Sequence, residues 1–201
     1  ELSLTKESAE ELDMSDTSVM TKFITFCKSA YPSDRYALII GSHGDGWKPP
    51  SIIFPKSIGY DSTSRNSSTG IEAISAALRL NQPDVLIFDA CNMGNLETLY
   101  ELSGCAGYIV ASPNPLPLSG FNYTDLLNAM DSDMTTDIFA KSFPSSWERI
   151  NGDITMMVYD MENFVDFMKN GDYINAIADS SLSDSANSLI IRNESIRYSV
   201  S

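Results

Sequence analysis

The sequence predicts an α/β protein with a mostly parallel central sheet that is covered by helices on both faces. Apolar segments with strand character alternate along the chain with segments whose apolar residues recur at helical spacing. The most apolar of them is a continuous run bounded by Pro83, as expected of a strand buried on both faces of a parallel sheet. The predicted strands cover residues 36–40, 84–89, 107–112 and 154–159.

Composition and charge narrow the class of protein. The chain has 201 residues, of which 43% are hydrophobic, and residues 1–201 are expected to form a single domain with a sizeable core. A formal net charge of −14 argues against a nucleic-acid partner, because binding phosphates requires a basic surface. No apolar segment reaches the length of a membrane span.

Cysteine and histidine counts restrict the metal and disulfide chemistry. Three cysteines do not form a disulfide framework, and a single histidine rules out a multi-histidine metal site. The aspartates at about 125–137 lack the regular spacing of a calcium loop. No metal and no other cofactor are therefore expected.

The first helix is predicted from its apolar periodicity and its boundaries. Either Ser15 or Asp16 can cap it, and it extends to Tyr31 because Pro32 cannot continue it. Cys27 falls on the apolar face of this helix and is interpreted as a small core residue. The strand that follows is expected to be buried.

Residues 48–68 are the least regular part of the chain and are predicted to be a linker. A short strand, Ile58–Tyr60, is expected within it. Beyond the linker, Thr69 and Glu72 have the spacing of a capping box, which predicts a helix over residues 71–80.

The remaining elements follow from the same periodicity. Pro144 is expected to break or kink one of the later helices, and Asp160 can cap another. Cys105 follows a glycine at a helix end and is interpreted as structural. The chain from Tyr173 onward is predicted to hold one more amphipathic helix. The other predicted helices cover residues 95–103, 123–130, 136–149 and 161–169.

Two residues with nucleophilic or acid–base chemistry follow predicted parallel strands. His43 lies two residues beyond Gly41, and Cys91 follows the strand that ends at Asp89. Because the carboxyl ends of parallel strands meet at one edge of a sheet, both side chains are expected there. A histidine beside a thiol can generate the thiolate and then protonate a leaving amine, which is the chemistry of covalent acyl transfer. The backbone N–H groups of Gly44 and Cys91 could form an oxyanion hole. The alternative for His43 is an incidental surface histidine.

The segments Ser42–Trp47 and Asp89–Asn95 together resemble the paired signatures of the clostripain-like cysteine peptidases, a bacterial family with a caspase-like fold. The histidine precedes the cysteine by 48 residues, similar to the order and spacing in caspases. The resemblance spans about residues 16–165 and implies a caspase-like α/β/α sandwich that lacks an N-terminal portion. It is supported by Tyr31-Pro32, Gly59-Tyr60-Asp61, Ala111-Ser112 and Gly120-Phe121-Asn122-Tyr123.

The resemblance implies a cysteine endopeptidase that cleaves peptide or protein substrates after Arg or Lys through an acyl-enzyme. It assigns His43 and Cys91 to a catalytic dyad and Asp89 to the pocket that selects the basic side chain. A desolvated carboxylate binds a long cationic side chain favourably. The alternative for Asp89 is that it only caps the following turn. Family members are secreted by bacteria, which implies an extracytoplasmic location.

The resemblance also implies self-processing after a basic residue between the histidine and the cysteine. Lys56 is the best placed of the candidates, with Lys48 and Arg65 as the others. One departure from the family is the proline-rich loop at residues 113–118, where family members tend to carry acidic residues. This loop leaves open the alternative of a catalytically silent binding or surface module. A thiol-redox role is disfavoured because no resolving cysteine lies near Cys91 in sequence.

Overall fold

A computed structural model describes residues 11–47, 58–65, 67–151 and 155–171, together with residues 175, 178 and 179. In chain order, the described elements are α1 (Thr17–Ala30), β1 (Ala37–Gly41), α2 (Ile71–Arg79), β2 (Val85–Asp89), α3 (Leu96–Glu101), β3 (Tyr108–Ala111), α4 (Tyr123–Asn128), α5 (Thr136–Asn151), β4 (Met157–Asp160) and α6 (Met161–Asn170).

The four strands form one sheet in the order β1-β2-β3-β4. Strands β1, β2 and β3 are parallel, and β4 pairs antiparallel with β3. This arrangement confirms the predicted α/β class with a mostly parallel sheet. The carboxyl ends of the three parallel strands therefore lie at one edge, which is where ligand clefts form in such sheets.

Alternating side chains of β2 build the two layers of the core. Leu86 and Phe88 belong to a cluster that includes Leu78 of α2. Val85 and Ile87 face the opposite side, in a cluster with residues of α5. All four β2 side chains are at most 1% exposed, so β2 is buried on both faces as predicted. Strand β2 therefore packs against helices on both faces of the sheet.

Strand β1 differs from the prediction of a buried strand. Its residues alternate between half-buried and exposed, and Ile39 is 40% exposed. Leu38 and Ile40 pack against the core cluster that contains Phe88. In the part of the chain that the structure describes, β1 is an edge strand. A short apolar run does not reveal whether one face or both are covered.

Two predicted caps have different outcomes. The capping box at Thr69 is wrong: α2 is preceded by Gly70 as its N-cap, without a side-chain cap bond in the described structure. The Thr69 hydroxyl donates instead to the Ser15 carbonyl, a contact that no local spacing reveals. Asp16, rather than Ser15, caps α1 by accepting a hydrogen bond from the Ser18 N–H at 2.8 Å. Competition from tertiary contacts explains the failed prediction.

The structure also bears on four further predictions, which concern Pro144, residues 58–60, Asp160 and the helix beyond Tyr173. Pro144 lies inside α5, which continues through it rather than breaking. Residues 58–60 form a turn, not a strand. Asp160 caps α6 as predicted. The helix predicted beyond Tyr173 lies largely outside the described residues. Within the residues that are described, none of the helices is long and apolar enough to cross a membrane.

Asp61 joins the segment before α1 to the loop before α2. Its Oδ1 accepts hydrogen bonds from the Thr63 hydroxyl at 2.6 Å and from the Ser64 N–H at 3.0 Å. Its Oδ2 accepts from the Met14 N–H at 3.0 Å. These hydrogen bonds hold the pKa of Asp61 well below its usual value, and the bond from the Thr63 hydroxyl has the largest effect. The folded state therefore favours the charged carboxylate.

Replacing Asp61 by Asn is expected to lower the melting temperature at pH 7. The folded-state pKa is depressed, so the stabilisation by Asp61 is fully present above the unfolded-state pKa of about 3.9 and is lost as the pH falls below it. The gap between wild type and D61N should consequently narrow between pH 5 and pH 3 in thermal melts followed by circular dichroism. The exposed Asp34, replaced by Asn, is the control. A gap that stays constant over this range would contradict the role of the carboxylate charge.

Candidate active site

The register between β1 and β2 brings the two candidate catalytic loops together. Gly41 pairs with Asp89 at the carboxyl ends of the two parallel strands. The Ser42 N–H then donates to the Asp89 carbonyl at 3.2 Å. His43 and Cys91 each lie two residues beyond this last pair. The two loops therefore leave the sheet side by side, at the edge that the sequence predicted.

Gly44 lies directly against the backbone of Cys91. A Cβ at Gly44 would lie 2.3 Å from the Cys91 carbonyl oxygen and 3.0 Å from the Cys91 nitrogen. It would also lie 3.1 Å from the Cβ of Ala90. No side chain fits in this space, so the glycine after the histidine is required for the two loops to touch.

His43 is exposed at the end of β1, where a turn from the linker supports it. Its ring makes an edge contact with Tyr60, with ring centroids 6.5 Å apart and planes at 67°. The Gly59 N–H donates to the Ser42 hydroxyl at 3.1 Å, which holds the turn against the loop. An imidazole in this setting is open to solvent and to an incoming ligand.

The sulfur of Cys91 receives a hydrogen bond from the proline-rich loop. The Leu116 N–H donates to Cys91 Sγ at an N–S distance of 3.1 Å. Proline has no N–H, so Asn114 and Leu116 carry the only backbone donors between residues 113 and 117. The Asn114 N–H donates to the Ser112 hydroxyl at 3.0 Å. The donor that remains, the Leu116 N–H, points at the sulfur.

The turn after Cys91 is fixed by backbone and side-chain hydrogen bonds. Asn92 has φ +59°, in the left-handed region that asparagine tolerates better than most residues. Its N–H donates to the Asn114 carbonyl at 3.1 Å, and its carbonyl accepts from the Asn95 side chain at 2.6 Å. Asn95 also caps α3 through the Thr98 N–H. The nucleophile turn is thus joined both to the proline-rich loop and to α3.

The Asp89 carboxylate contacts Gly120, which precedes α4, and Tyr123, the first residue of α4. The Tyr123 hydroxyl donates to Asp89 Oδ2 at 2.6 Å. Gly120 has φ +60°, and a Cβ there would lie 2.6 Å from the same oxygen. Among the described residues, Tyr123 is the donor to this carboxylate, whereas the turn-capping alternative would need donors from the following amides. Burial, then the contact with Asp89, raises the pKa of Tyr123, so its phenol stays protonated.

Comparison with known proteins decides the family. The family model described as the clostripain family matches residues 2–200. The chain belongs to the clostripain family of cysteine peptidases. The caspase-like fold expected from the resemblance is confirmed with it.

Three relatives illustrate the similarity. Clostripain from Hathewaya histolytica is 34% identical over 133 residues, which is 60% of this chain and 25% of clostripain. A secreted C11 cysteine protease from Bacteroides thetaiotaomicron, solved with an irreversible peptide inhibitor, is 25% identical with a TM-score of 0.63. The match covers 75% of this chain and 46% of that one. An inactive zymogen C11 protease from Parabacteroides distasonis is 26% identical with a TM-score of 0.64, covering 79% and 43%.

The clostripain-family chain spans less than half the length of these two solved relatives, and a quarter of clostripain. Its similarity to them therefore shows family and fold, while the activity of the whole protein is inferred below.

The other site residues suggested by the sequence have separate outcomes. Lys48 and Lys56 lie outside the described residues. Arg65 is exposed in a turn, with φ +62°. Cys27 is half-buried and Cys105 is fully buried; burial raises the pKa of Cys105 and keeps its thiol protonated. Within the described part of the chain, no cluster of three or more His, Cys, Asp or Glu residues could hold a metal.

Sequence analysis missed two groups in this clostripain-family site. The proline-rich loop departs from the family pattern, and this departure hides the role of the Leu116 N–H. The alternation of prolines from 113 to 117, which leaves only two backbone donors, is the signal in the sequence. Tyr123 belongs to a segment that resembles the family, but nothing in that segment points to Asp89. Its contact with Asp89 spans 34 residues, and no local spacing predicts it.

Replacing Gly44 by Ala is expected to separate the two loops and lower peptide hydrolysis by about 100-fold, since a misplacement of about 1 Å can cost that much. Gly41→Ala is the matched control, because no described atom lies within 4 Å of a Cβ built at Gly41. The alkylation rate of Cys91, followed by mass spectrometry, measures the same change without relying on turnover. Equal behaviour of the G44A and G41A variants would show that this contact does not organise the site.

Proposed function

We propose that this chain carries the catalytic machinery of a cysteine endopeptidase that hydrolyses peptide bonds after Arg or Lys. The single observation that carries the proposal is the contact of Gly44 with the backbone of Cys91. This contact brings the loop of the only histidine in the chain to the loop of a half-buried free thiol. Membership of a cysteine peptidase family supports the same conclusion.

The proposed reaction proceeds through an acyl-enzyme on Cys91. His43 takes the thiol proton, and the resulting thiolate attacks the carbonyl carbon of the scissile peptide bond. The oxygen of the tetrahedral intermediate accepts hydrogen bonds from the N–H groups of Gly44 and Cys91. His43 then gives the proton to the leaving amine as the C–N bond breaks. Water, activated by His43, hydrolyses the thioester and restores the thiol.

The Leu116 N–H fits the first step of this reaction. Its nitrogen lies 3.1 Å from Cys91 Sγ and the Leu116 carbonyl oxygen lies 3.7 Å from the same atom, so Leu116 positions the nucleophile. Because the donor belongs to the backbone between Pro115 and Pro117, it is held in place with little conformational freedom. All groups in this mechanism come from the chain itself, so the proposed reaction requires no metal and no organic cofactor.

The proposed selection of Arg or Lys rests on Asp89. Its carboxylate is half-buried two residues before the nucleophile, so it lies within reach of the side chain whose carbonyl is attacked. A partly desolvated carboxylate favours a cation and disfavours a neutral or acidic side chain. Substrates would therefore be peptides or proteins with basic residues.

Two further properties are proposed with the activity. An extracytoplasmic location is supported by the relative that is described as secreted. Self-processing in the 48–68 linker, at Lys56 or else at Lys48 or Arg65, is supported by the basic residues that lie between His43 and Cys91. The location and the self-processing are both proposed for the complete protein.

Replacing Cys91 by Ala in the complete protein is expected to lower hydrolysis of a fluorogenic peptide ending in Arg or Lys by at least about 10⁴-fold, because no acyl-enzyme can form. The variant should also remain one intact chain in mass spectrometry, whereas the wild type is cut within the linker. Cys27→Ala is the control and should keep its activity. Turnover retained by C91A would refute the assignment of Cys91 as the nucleophile, whereas a wild type without turnover would favour a silent binding module.

Replacing Asp89 by Asn is expected to lower kcat/KM for substrates with Arg or Lys before the cleaved bond by about 100-fold, because it removes the partner of a buried cation. Substrates with a neutral residue at that position should lose much less. Comparison of kcat/KM over a peptide series measures the difference, with Asp34→Asn as the control. An unchanged preference for basic residues in D89N would remove the pocket assignment but not the catalytic one.

A further inference from the structure

One oxygen of the Asp89 carboxylate is already engaged by the protein. The Tyr123 hydroxyl lies 2.6 Å from Oδ2, a distance typical of a strong hydrogen bond to a charged acceptor. Gly120 closes the same side, since a Cβ there would lie 2.6 Å from Oδ2 but 3.3 Å from Oδ1. Tyr123 and Gly120 thus both approach Oδ2 rather than Oδ1. The two oxygens of this carboxylate therefore differ in what they can offer to a ligand.

Tyr123 is held in position by an aromatic cluster. Its ring makes an edge contact with Phe121 at a centroid distance of 6.1 Å. Phe121 is 4% exposed and packs on Phe143 at 5.3 Å and on Trp147 at 4.9 Å. Tyr123 itself is 38% exposed, so one side of its ring remains open to solvent. The contact with Phe121 on one side of the ring therefore supports the position of the hydroxyl at the Asp89 carboxylate.

The two basic side chains use a carboxylate differently. An arginine guanidinium binds best through two parallel N–H···O bonds, one to each oxygen. A lysine ammonium acts as a point charge and can bind a single oxygen. With Oδ2 engaged by Tyr123, a lysine can use Oδ1 without disturbing the pocket. An arginine that binds both oxygens must share Oδ2 with the phenol, on a side that Gly120 crowds, so its second bond is weakened.

We propose that Tyr123 is a specificity-determining residue that makes this pocket favour lysine over arginine. The inference rests on the proposed function, in which Asp89 binds the basic side chain. Tyr123 acts by occupying Oδ2, and Gly120 allows the carboxylate to take up this position. Removing the phenolic hydroxyl should free the second oxygen and improve arginine relative to lysine.

The test compares two peptides that differ only in Lys or Arg before the cleaved bond, using the complete protein. The wild type is expected to show the higher kcat/KM for the lysine peptide. In Tyr123→Phe, the ratio of kcat/KM for arginine to that for lysine should rise by about tenfold, the effect of one hydrogen bond to a charged group. Tyr100→Phe, at an exposed position on α3, is the control and should leave the ratio unchanged.

A purely structural role for Tyr123 would lower both values of kcat/KM by the same factor, so a ratio within twofold of the wild type overturns the inference. Competitive inhibition by butylamine and by butylguanidine gives the same comparison from binding alone and should shift in the same direction. If the wild type cleaves both peptides but the ratio of kcat/KM is the same in Tyr123→Phe, this inference alone fails. If the wild type cleaves neither, the proposed function fails and the inference fails with it.

Discussion

Parallel pairing of Gly41 with Asp89 determines where the loops that carry His43 and Cys91 lie. The two strands end together, and the loops that follow continue side by side until Gly44 contacts the backbone of Cys91. A slip by one residue would turn Asp89 to the other face of the sheet, because side chains alternate along a strand. Burial of β2 on both faces prevents such a slip, since it would disturb both halves of the core.

The contacts around Cys91 are mostly made by backbone atoms, which explains how loops can hold a site with precision. The Cys91–Gly94 segment is bonded to the chain that follows β3: the Asn92 N–H donates to the Asn114 carbonyl and the Gly94 N–H to the Ser112 carbonyl. The intervening prolines restrict that chain further. Side chains such as Asn95 then secure the turn to α3. The loop that departs from the family pattern thus holds the Cys91–Gly94 segment in place.

The sequence predicts what local patterns determine. The apolar run before Asp89 predicts β2, and spacing predicts the position of most helices. Prediction from local patterns fails where a residue distant in sequence offers a contact that replaces the local one. Thr69 bonds to Ser15 instead of capping α2, and Ile39 is exposed although its strand is apolar. In the site, the parallel topology correctly predicts that His43 lies at the edge formed by the carboxyl ends of the strands. The contact between Tyr123 and Asp89 depends on how α4 and α5 pack, which no periodicity encodes.

The proposed role of Asp89 as a carboxylate that binds a cation poses a physical problem before substrate arrives. Left half-buried without a partner, Asp89 would be costly to keep charged. The Tyr123 hydroxyl reduces that cost, because its donated proton stabilises the charge while Phe121 keeps its ring in place. In the proposed pocket, a guanidinium that binds both oxygens would have to share Oδ2 with the phenol. If Asp89 binds the basic side chain as proposed, stabilising the empty pocket and restricting its ligand are therefore two consequences of one hydrogen bond.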